Sequence, residues 1–472
     1  MMRERRLLVW SVLLVLLVQA LTVRPAYAID TIPQLDGDAS IYSAATALPI
    51  KVQARMDQND ARNNALRIIR TYRQEALNQG LVSLPSGMSR NDYLNGIYWN
   101  ADLERIAIAR AVESSFTFNH VRMSYTDPFE CESHGIGPYA EILAWWWGSG
   151  GLSIERALDM WYEEKPYYEQ LVRGQMPQGE YGHYETLISP EYSQYGFSTV
   201  EAKGVYCAAG EAGWEPSSTP ATGYSGTYYV SLWAKDMPGM SWRLTLTANE
   251  NPLMPGASTG VTIRPTLTYS GETISDILLD SSRFGSNMKL TSSNTGVLSV
   301  SGSTLTGVKE GTADVTVRLG GKGAATRVQV ATTRQVYRLY NTRTSEHLYT
   351  TNKAEYDTLP SRGNGDWRQE GVAWTAPVKS AAPVYRLYNA GLGDHHYTAN
   401  KAERDNLIAN HGWRDEGICW YSDTGRGRPL YRVYNGRLKA GQHHYTANVA
   451  ERDMLVSRYG WREESIGWYG TK

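Results

Sequence analysis

Two histidines and two glutamates in the first half of the chain have the side chains best suited to chemistry. His120 lies in Phe-Asn-His, Glu141 in Tyr-Ala-Glu, Glu164 three residues after Trp161, and His183 in Gly-His-Tyr. Two neutral imidazoles can hold a divalent ion such as zinc, and two carboxylates can orient water or balance charge. The competing interpretation is a buried hydrogen-bond network that only stabilises the fold.

The helices and strands that would position these residues are predicted from the spacing of apolar residues and from the positions of capping residues, glycine and proline. Residues 30 to about 120 are predicted to be helical, because apolar residues recur there at helical spacing. A further helix is predicted to open at Ser153 as N-cap, and Pro166 should end or kink it. From His183 to about Asp236 the pattern favours short strands broken by Gly and Pro. One α+β domain over residues 29–236 is expected.

The motifs of this domain resemble a known family. Gly182-His183-Tyr184 is followed by Leu187, Pro190 and Gly196, and upstream stand Phe118-Asn119-His120, Tyr139-Ala140-Glu141 and Trp161-x-x-Glu164-x-x-x-Tyr168. In order and spacing this resembles the CAP/SCP superfamily of cysteine-rich secretory, antigen 5 and pathogenesis-related proteins. The resemblance implies an α-β-α sandwich with an open cleft.

In that cleft the resemblance brings together His120, Glu141, Glu164 and His183 as a ligand- or metal-binding set. His120 and His183 would be the metal ligands if a divalent metal such as zinc is bound, and no catalytic residue is assigned. The sequence departs from the family where Gly-Glu-Asn reads Ala140-Glu141-Ile142, which removes a polar neighbour.

The three cysteines of the chain have no zinc-site spacing. Cys131 and Cys207 lie in the same predicted domain, and an oxidising compartment would allow them to pair. A Cys131–Cys207 disulfide is therefore expected, with Cys419 left as a free thiol.

The N-terminus predicts export. Arg3, Arg5 and Arg6 precede the apolar run Leu7–Leu17, and Ala26-Tyr27-Ala28 offers a cleavage site before Ile29. Residues 1–28 are expected to be a signal peptide, with an uncleaved membrane anchor as the alternative. No later stretch approaches the roughly 18 apolar residues of a membrane span. We expect a secreted, extracellular or cell-envelope-associated protein, and a net charge of −1 argues against nucleic acid as partner.

Residues 243–332 change character to short segments rich in β-branched residues, separated by turns. Val297-Leu298-Ser299-Val300, then Thr304-Leu305-Thr306-Gly307-Val308 and Gly311-Thr312-Ala313, resemble bacterial group 2 Ig-like domains. This resemblance implies an Ig-like β-sandwich that acts as a spacer.

Residues 335–471 contain a threefold internal repeat with a period of about 47 residues. The units are 335–380, 383–428 and 429–471, and their opening motifs are Val336-Tyr337-Arg338-Leu339-Tyr340-Asn341, Val384-Tyr385-Arg386-Leu387-Tyr388-Asn389 and Leu430-Tyr431-Arg432-Val433-Tyr434-Asn435. Each unit is predicted to be β-β-α-β, and three units would close into a pseudo-threefold ring. The segment resembles tail repeats of unknown function on secreted bacterial hydrolases and adhesins.

The aromatic residues of the tail allow two interpretations, core packing or stacking on a cell-wall polymer or glycan. We expect the Tyr and Trp residues to form the core. The turns near His347, His395 and His443 are expected to face outward, where a binding role would lie.

Three functions compete. The favoured one is a non-enzymatic module whose cleft takes a lipid or other small ligand, displayed on a spacer with a tail that retains it at the surface. The second is a metal-assisted hydrolase acting through the His/Glu set. The third is a purely adhesive rod. The sequence has no nucleophile elbow and no H-E-x-x-H motif, which counts against the hydrolase.

Overall fold

A computed structural model describes residues 29–471 except 125, 149–150 and 363, and it leaves the side chains of 39–41 undescribed. The predicted signal peptide at residues 1–28 lies outside the described residues. No helix in the described ranges is long and apolar enough to cross a membrane. The chain divides into two compact units, the first formed by residues up to 243 with 264–288 and 319–322, and the second by 244–263, 289–318 and 323 onward.

The first unit contains an eight-stranded sheet of order β1-β7-β2-β5-β6-β4, with β11 beside β2 and β3 beside β5. Its strands are β1 (Thr31–Ile32), β2 (Leu48–Asp57), β3 (Tyr98–Trp99), β4 (Ala140–Trp146), β5 (Gln194–Ala202), β6 (Val205–Gly213), β7 (Ser225–Ala234) and β11 (Leu278–Leu279). The prediction of helix throughout residues 30–120 is wrong at β2, where apolar and polar residues alternate from Ile50 to Met56.

The helices of this unit are α1 (Asp36–Ile41), α2 (Gln58–Asn78), α3 (Arg90–Asn95), α4 (Ala101–Ser114), α5 (Ile154–Tyr162), α6 (Lys165–Val172) and α7 (Gly182–Ile188). Ser153 caps α5 as predicted, because its side chain accepts the N–H of Arg156. Helix α5 ends at Tyr162, and Pro166 lies in the first turn of the next helix, α6, which confirms the predicted interruption. The prediction that strands begin at His183 is wrong, because α7 precedes β5.

One apolar core joins α2, α5 and α7 to β4, β5 and β6. It includes Trp161, whose indole N–H donates to the Leu143 carbonyl at 2.9 Å. Helix α4 packs against β5 and β6. Its approach is so close at Gly196 that a Cβ there would lie 2.1 Å from the Glu104 nitrogen, so only glycine fits.

Between residues 240 and 330 the regular structure is mainly strand, interrupted by two short 3-10 helices at Ser281–Arg283 and Gly285–Asn287. The strands are β8 (Met240–Ala248), β9 (Ser258–Tyr269), β10 (Glu272–Ile274), β12 (Lys289–Ser292), β13 (Leu298–Ser301), β14 (Thr304–Gly307), β15 (Gly311–Leu319) and β16 (Lys322–Val330). One sheet has the order β10-β9-β14-β13 with β8 beside β9, and another has the order β12-β15-β16. The segments read as strands from the sequence are strands, whereas the Ig-like assignment stays a prediction.

The tail forms three three-stranded sheets, each built from strand, strand, helix and strand. The elements are β17 (Thr333–Asn341), β18 (His347–Thr350), α8 (Lys353–Arg362) and β19 (Trp367–Pro377); β20 (Pro383–Asn389), β21 (Asp394–Thr398), α9 (Lys401–Asn410) and β22 (Arg414–Tyr421); and β23 (Arg428–Tyr434), β24 (His443–Thr446), α10 (Val449–Tyr459) and β25 (Arg462–Gly470). The first strand lies in the middle of each sheet.

All three sheets share one core. Its aromatic residues are Tyr349, Trp374, Tyr397, Trp420, Tyr445 and Trp468, which agrees with the expectation that the repeated Tyr and Trp pack inward. The Tyr397 hydroxyl donates to the Tyr349 carbonyl at 2.9 Å, Tyr445 to the Tyr397 carbonyl at 2.7 Å, and Tyr349 to the Tyr445 carbonyl at 2.8 Å. These bonds link the three repeats in a closed cycle.

The histidines expected on outward turns are mostly buried instead. The side chains of His347, His395 and His443 are 19%, 14% and 17% exposed. Each packs against another repeat, His347 on His444 with ring centroids 4.4 Å apart and His395 2.5 Å from Glu346. The expectation of outward histidines is therefore wrong, because they begin strands that face a neighbouring repeat.

Candidate functional site

His120 is held by the carboxylate of Glu141, which is in turn held by the buried Arg110. Its Nδ1 lies 2.7 Å from Oε1 of Glu141, on strand β4. The Arg110 guanidinium, on α4, binds both oxygens of Glu141 and also donates to the carbonyls of Asn119 and His120 at 3.1 and 3.3 Å. Arg110 therefore positions both the carboxylate and the loop that carries His120.

His183 is held in the same manner by Glu164. Its Nδ1 lies 2.5 Å from Glu164 Oε1, while Oε2 accepts the backbone N–H groups of His183 and Tyr184 at 3.0 and 3.3 Å. Glu164 can do this because it lies between the end of α5 and the start of α6, where its carboxylate can reach the start of α7. The break that the sequence predicts at Pro166 thus places a site residue.

The structure brings His120, Glu141 and His183 to the wall of one open cleft, and Glu164 supports His183 without lining it. The ring centroids of His120 and His183 are 6.4 Å apart, well inside the separation at which two histidines can serve one site. The cleft has a volume of about 810 Å³. It is lined by Phe118, Asn119, His120, Phe129, Tyr139, Ala140, Glu141, Leu143, Glu180, Tyr181, Gly182, His183, Glu185 and Thr186.

Both Nδ1 atoms face carboxylates, which fixes the hydrogen-bonding role of each ring. An ionised carboxylate only accepts, so each Nδ1 carries the hydrogen and each Nε2 of a neutral ring keeps its lone pair. Burial alone would raise the pKa of Glu141, but Arg110 and the bond from His120 lower it below its usual range. This Nδ1-to-carboxylate arrangement is the one that orients metal-binding histidines in proteins.

Beneath the cleft lies a buried network of charges. Arg110 also pairs with Glu113 at 2.5 Å, and Arg122 pairs with Glu113 at 2.9 Å and with Asp38. Glu211, opposite Glu141 in the sheet, is fully buried, and its pKa is raised well above the usual value by burial and by the Glu141 charge. A protonated Glu211 leaves Glu141 as the charged partner of the cleft.

Sequence reasoning missed two residues of this site, Arg110 and Glu180. Glu180, Glu164 and His183 offer ligand atoms that all lie within 4.8 Å of one another, a spacing that could hold a metal ion. The signal for Glu180 is its position three residues before His183, an acidic-x-x-His spacing. No local signal marks Arg110, because its contacts with Glu141 join segments 31 residues apart.

The predicted disulfide is absent. Cys131 and Cys207 are both free and buried, and Cys419 is free as expected. Cys131 follows a short turn, and its Sγ donates to the Pro128 carbonyl at 2.8 Å, whereas Cys207 sits inside the sheet on β6. Burial raises the pKa of Cys207 to about 12, so this thiol is unreactive at neutral pH. Shared membership of a domain did not place the two thiols together.

Comparison with known proteins identifies two segments. Residues 58–209 match the family model CAP, described as the Cysteine-rich secretory protein family, and residues 335–471 match the family model DUF5648, described as a domain of unknown function. No curated protein matches the chain.

Among solved structures, the chain is similar at 13% identity to FdeC, described as a novel broadly conserved Escherichia coli adhesin eliciting protection against urinary tract infections. The alignment covers 41% of this chain and 63% of that chain with a TM-score of 0.13, too low to support a conclusion about fold or function. The family matches therefore identify a CAP domain at residues 58–209 and a DUF5648 domain at residues 335–471.

Proposed function

We propose that this is a secreted or cell-envelope-associated CAP-domain protein whose cleft binds a small ligand without transforming it. The observation that carries the proposal is the open cleft in which His120 and His183 are each oriented by a carboxylate at Nδ1. Such orientation leaves two Nε2 atoms able to contact one ligand.

The rim of the cleft favours a ligand with an apolar part. Phe118 and Phe129 line it and are 49% and 50% exposed, although phenylalanine is among the residues most often buried. Trp145 lies beside Phe118 with ring centroids 5.8 Å apart, and Trp147 extends this aromatic surface. A lipid chain covering these rings would bury apolar area at about 25 cal/mol per Å².

A divalent metal such as zinc is compatible with the donors of the cleft. His120 and His183 would offer Nε2, or His183 would act with Glu164 and Glu180. The metal would supply a Lewis acid and a positive charge to hold an anionic headgroup.

The second candidate function is a metal-assisted hydrolase, and two observations weaken it. A general base needs a pKa near the working pH, whereas Arg110 holds the pKa of Glu141 below its usual range. The buried Cys131 and Cys207 thiols, whose pKa values are raised by burial, are unsuited as nucleophiles.

The experiment is native mass spectrometry of the purified chain, followed by lipid and zinc titrations. We expect a copurifying lipid or a bound zinc in the parent chain, and loss of it in the His120→Ala/His183→Ala variant. His411→Ala, an exposed histidine of the tail, is the matched control and should bind as the parent does. Ligand binding that survives removal of both cleft histidines would contradict the proposal. Turnover of an ester or peptide substrate that needs both histidines would instead favour the hydrolase.

For the remainder of the chain we propose that the strand-rich region acts as an Ig-like spacer and that the tail retains the protein at the cell surface through a wall polymer or glycan. The closed hydrogen-bond cycle of Tyr349, Tyr397 and Tyr445 supports a tail that acts as one pseudo-threefold body. Sedimentation of the full chain with isolated cell walls, compared with a chain ending before residue 333, tests the role of the tail. Equal sedimentation of the two chains would contradict it.

A further inference from the structure

Arg334, the second residue of β17, is a half-buried arginine without a counter-charge. In the part of the chain that the structure describes, it forms no ion pair, and its Nη2 donates a hydrogen bond to the Val378 carbonyl at 3.2 Å. Its buried Nε–H has no acceptor. Burial lowers the pKa of Arg334, as expected for a cation that lacks a carboxylate nearby.

The tail treats its other half-buried arginines differently. One arginine in each repeat pairs with two glutamates: Arg338 with Glu370 and Glu451, Arg386 with Glu355 and Glu416, and Arg432 with Glu403 and Glu464. Each of these three partly buried guanidinium groups, which hold the tail together, is therefore neutralised by two carboxylates. Leaving a buried donor or charge without its partner is costly, so Arg334 calls for another explanation.

The repeat itself does not require an arginine here. The equivalent position, two residues before Val384, is Ala382 in the second repeat. In the third repeat it is Arg428, which is exposed. Arg334 is thus a feature of one place in the molecule, where the strand-rich region leads into the tail.

A cavity of about 340 Å³ opens at Arg334. Lys379, exposed and without an ion pair among the described residues, lines it together with Tyr421, and the exposed Glu250 is the acidic residue on its wall. Two cations against one carboxylate leave the cavity positive. Its volume suits a small ligand group.

We propose that Arg334 and Lys379 form a binding site for an oxyanion group, a carboxylate or a phosphate. A guanidinium presents its N–H donors as a planar fork that matches both groups. Lys379 adds charge without fixed geometry. The site shares no lining residue with the cleft and goes beyond the proposed function, because it needs neither the cleft histidines nor any particular cell surface.

Titration of the full chain with inorganic phosphate and, separately, with acetate tests the site. The readout is the ¹⁵N–¹H resonance of Arg334 Nε, assigned by its loss in Arg334→Lys, and affinity from calorimetry. We expect saturable binding of at least one anion with a shift of that resonance. We expect Arg334→Gln to weaken binding at least about tenfold, since it removes a charge-assisted bond. The stronger of the two probes identifies the natural group as phosphate or carboxylate.

Arg428→Gln is the matched control, because it removes an exposed arginine at the same position of another repeat. It should leave the affinity unchanged within about twofold, as expected for an exposed charge. Equal binding by the parent chain and Arg334→Gln would overturn the site, as would the absence of a shift at Arg334 Nε with either anion. If Arg334→Gln does not fold, the resonance of the parent chain alone decides.

Discussion

The cycle of tyrosine hydroxyls in the tail makes a prediction about cooperativity. The Tyr397 hydroxyl is buried, donates to the Tyr349 carbonyl at 2.9 Å and accepts the Tyr349 N–H at 3.0 Å. Tyr397→Phe keeps the ring and removes only these two bonds. Two buried backbone groups of another repeat then lose their partners, which costs about 2–6 kcal/mol at about 1–3 kcal/mol for each orphaned group.

The assay is hydrogen exchange of the full chain with peptide-level mass spectrometry. If the tail unfolds as one body, protection should fall about 30- to 20,000-fold in peptides of all three repeats, because each 1.4 kcal/mol is about tenfold. Tyr385→Phe is the control, since it changes a tyrosine of the same repeat whose hydroxyl makes no hydrogen bond within the described residues. Loss of protection confined to residues 383–428, or to peptides next to the substitution, would refute the closed-ring reasoning.

Three further outcomes are expected. Burial lowers the pKa of His347 to about 2 and of His443 to about 3, from 6.5 in the unfolded chain. The free energy of unfolding of the tail should therefore be unaffected by these groups above about pH 6.5 and should fall below it, by up to about 1.4 kcal/mol per pH unit for each group. Asp394, whose pKa burial raises to about 6, offsets part of this, and a tail melting temperature that does not fall between pH 6.5 and 5 would contradict the prediction. Arg110→Met should destabilise the CAP domain by about 3–5 kcal/mol in urea denaturation because it strands buried carboxylates, whereas Arg55→Met, at a half-exposed pair, should cost under about 1 kcal/mol; similar losses would argue against the buried network. The unfolded chain should show three reactive thiols without reductant, and a count of one would restore the disulfide.

Local patterns predicted the site elements where the residues concerned act within a few positions of one another. Ser153 capping and the Pro166 interruption are such cases, and they place Glu164. The alternation of apolar and polar residues from Ile50 to Met56 is equally local and marks β2. It is only seven residues long and stands beside a long helical pattern, so the prediction of helix covers it as well.

Contacts between distant segments were beyond the reach of the sequence. Arg110 reads as one more polar residue of α4, yet it decides the protonation of Glu141 and the position of His120. The expected cysteine pairing is not formed, for a related reason: the sequence does not show how closely two segments of one domain approach, and Cys131 and Cys207 are free. The tail histidines were placed outward because strand ends look exposed until a neighbouring repeat covers them.

The two proposed sites differ in charge, because Arg110 has carboxylate partners and Arg334 has none among the described residues. Arg110 forms ion pairs with Glu141 and Glu113 and so offers no free positive charge to the cleft, which suits a cation or an uncharged ligand. Arg334 has no such partner among the described residues, so its cavity presents uncompensated positive charge. Ligands of opposite sign should therefore bind independently, and added salt should weaken the anion site more than the cleft, where the charges are buried and less screened.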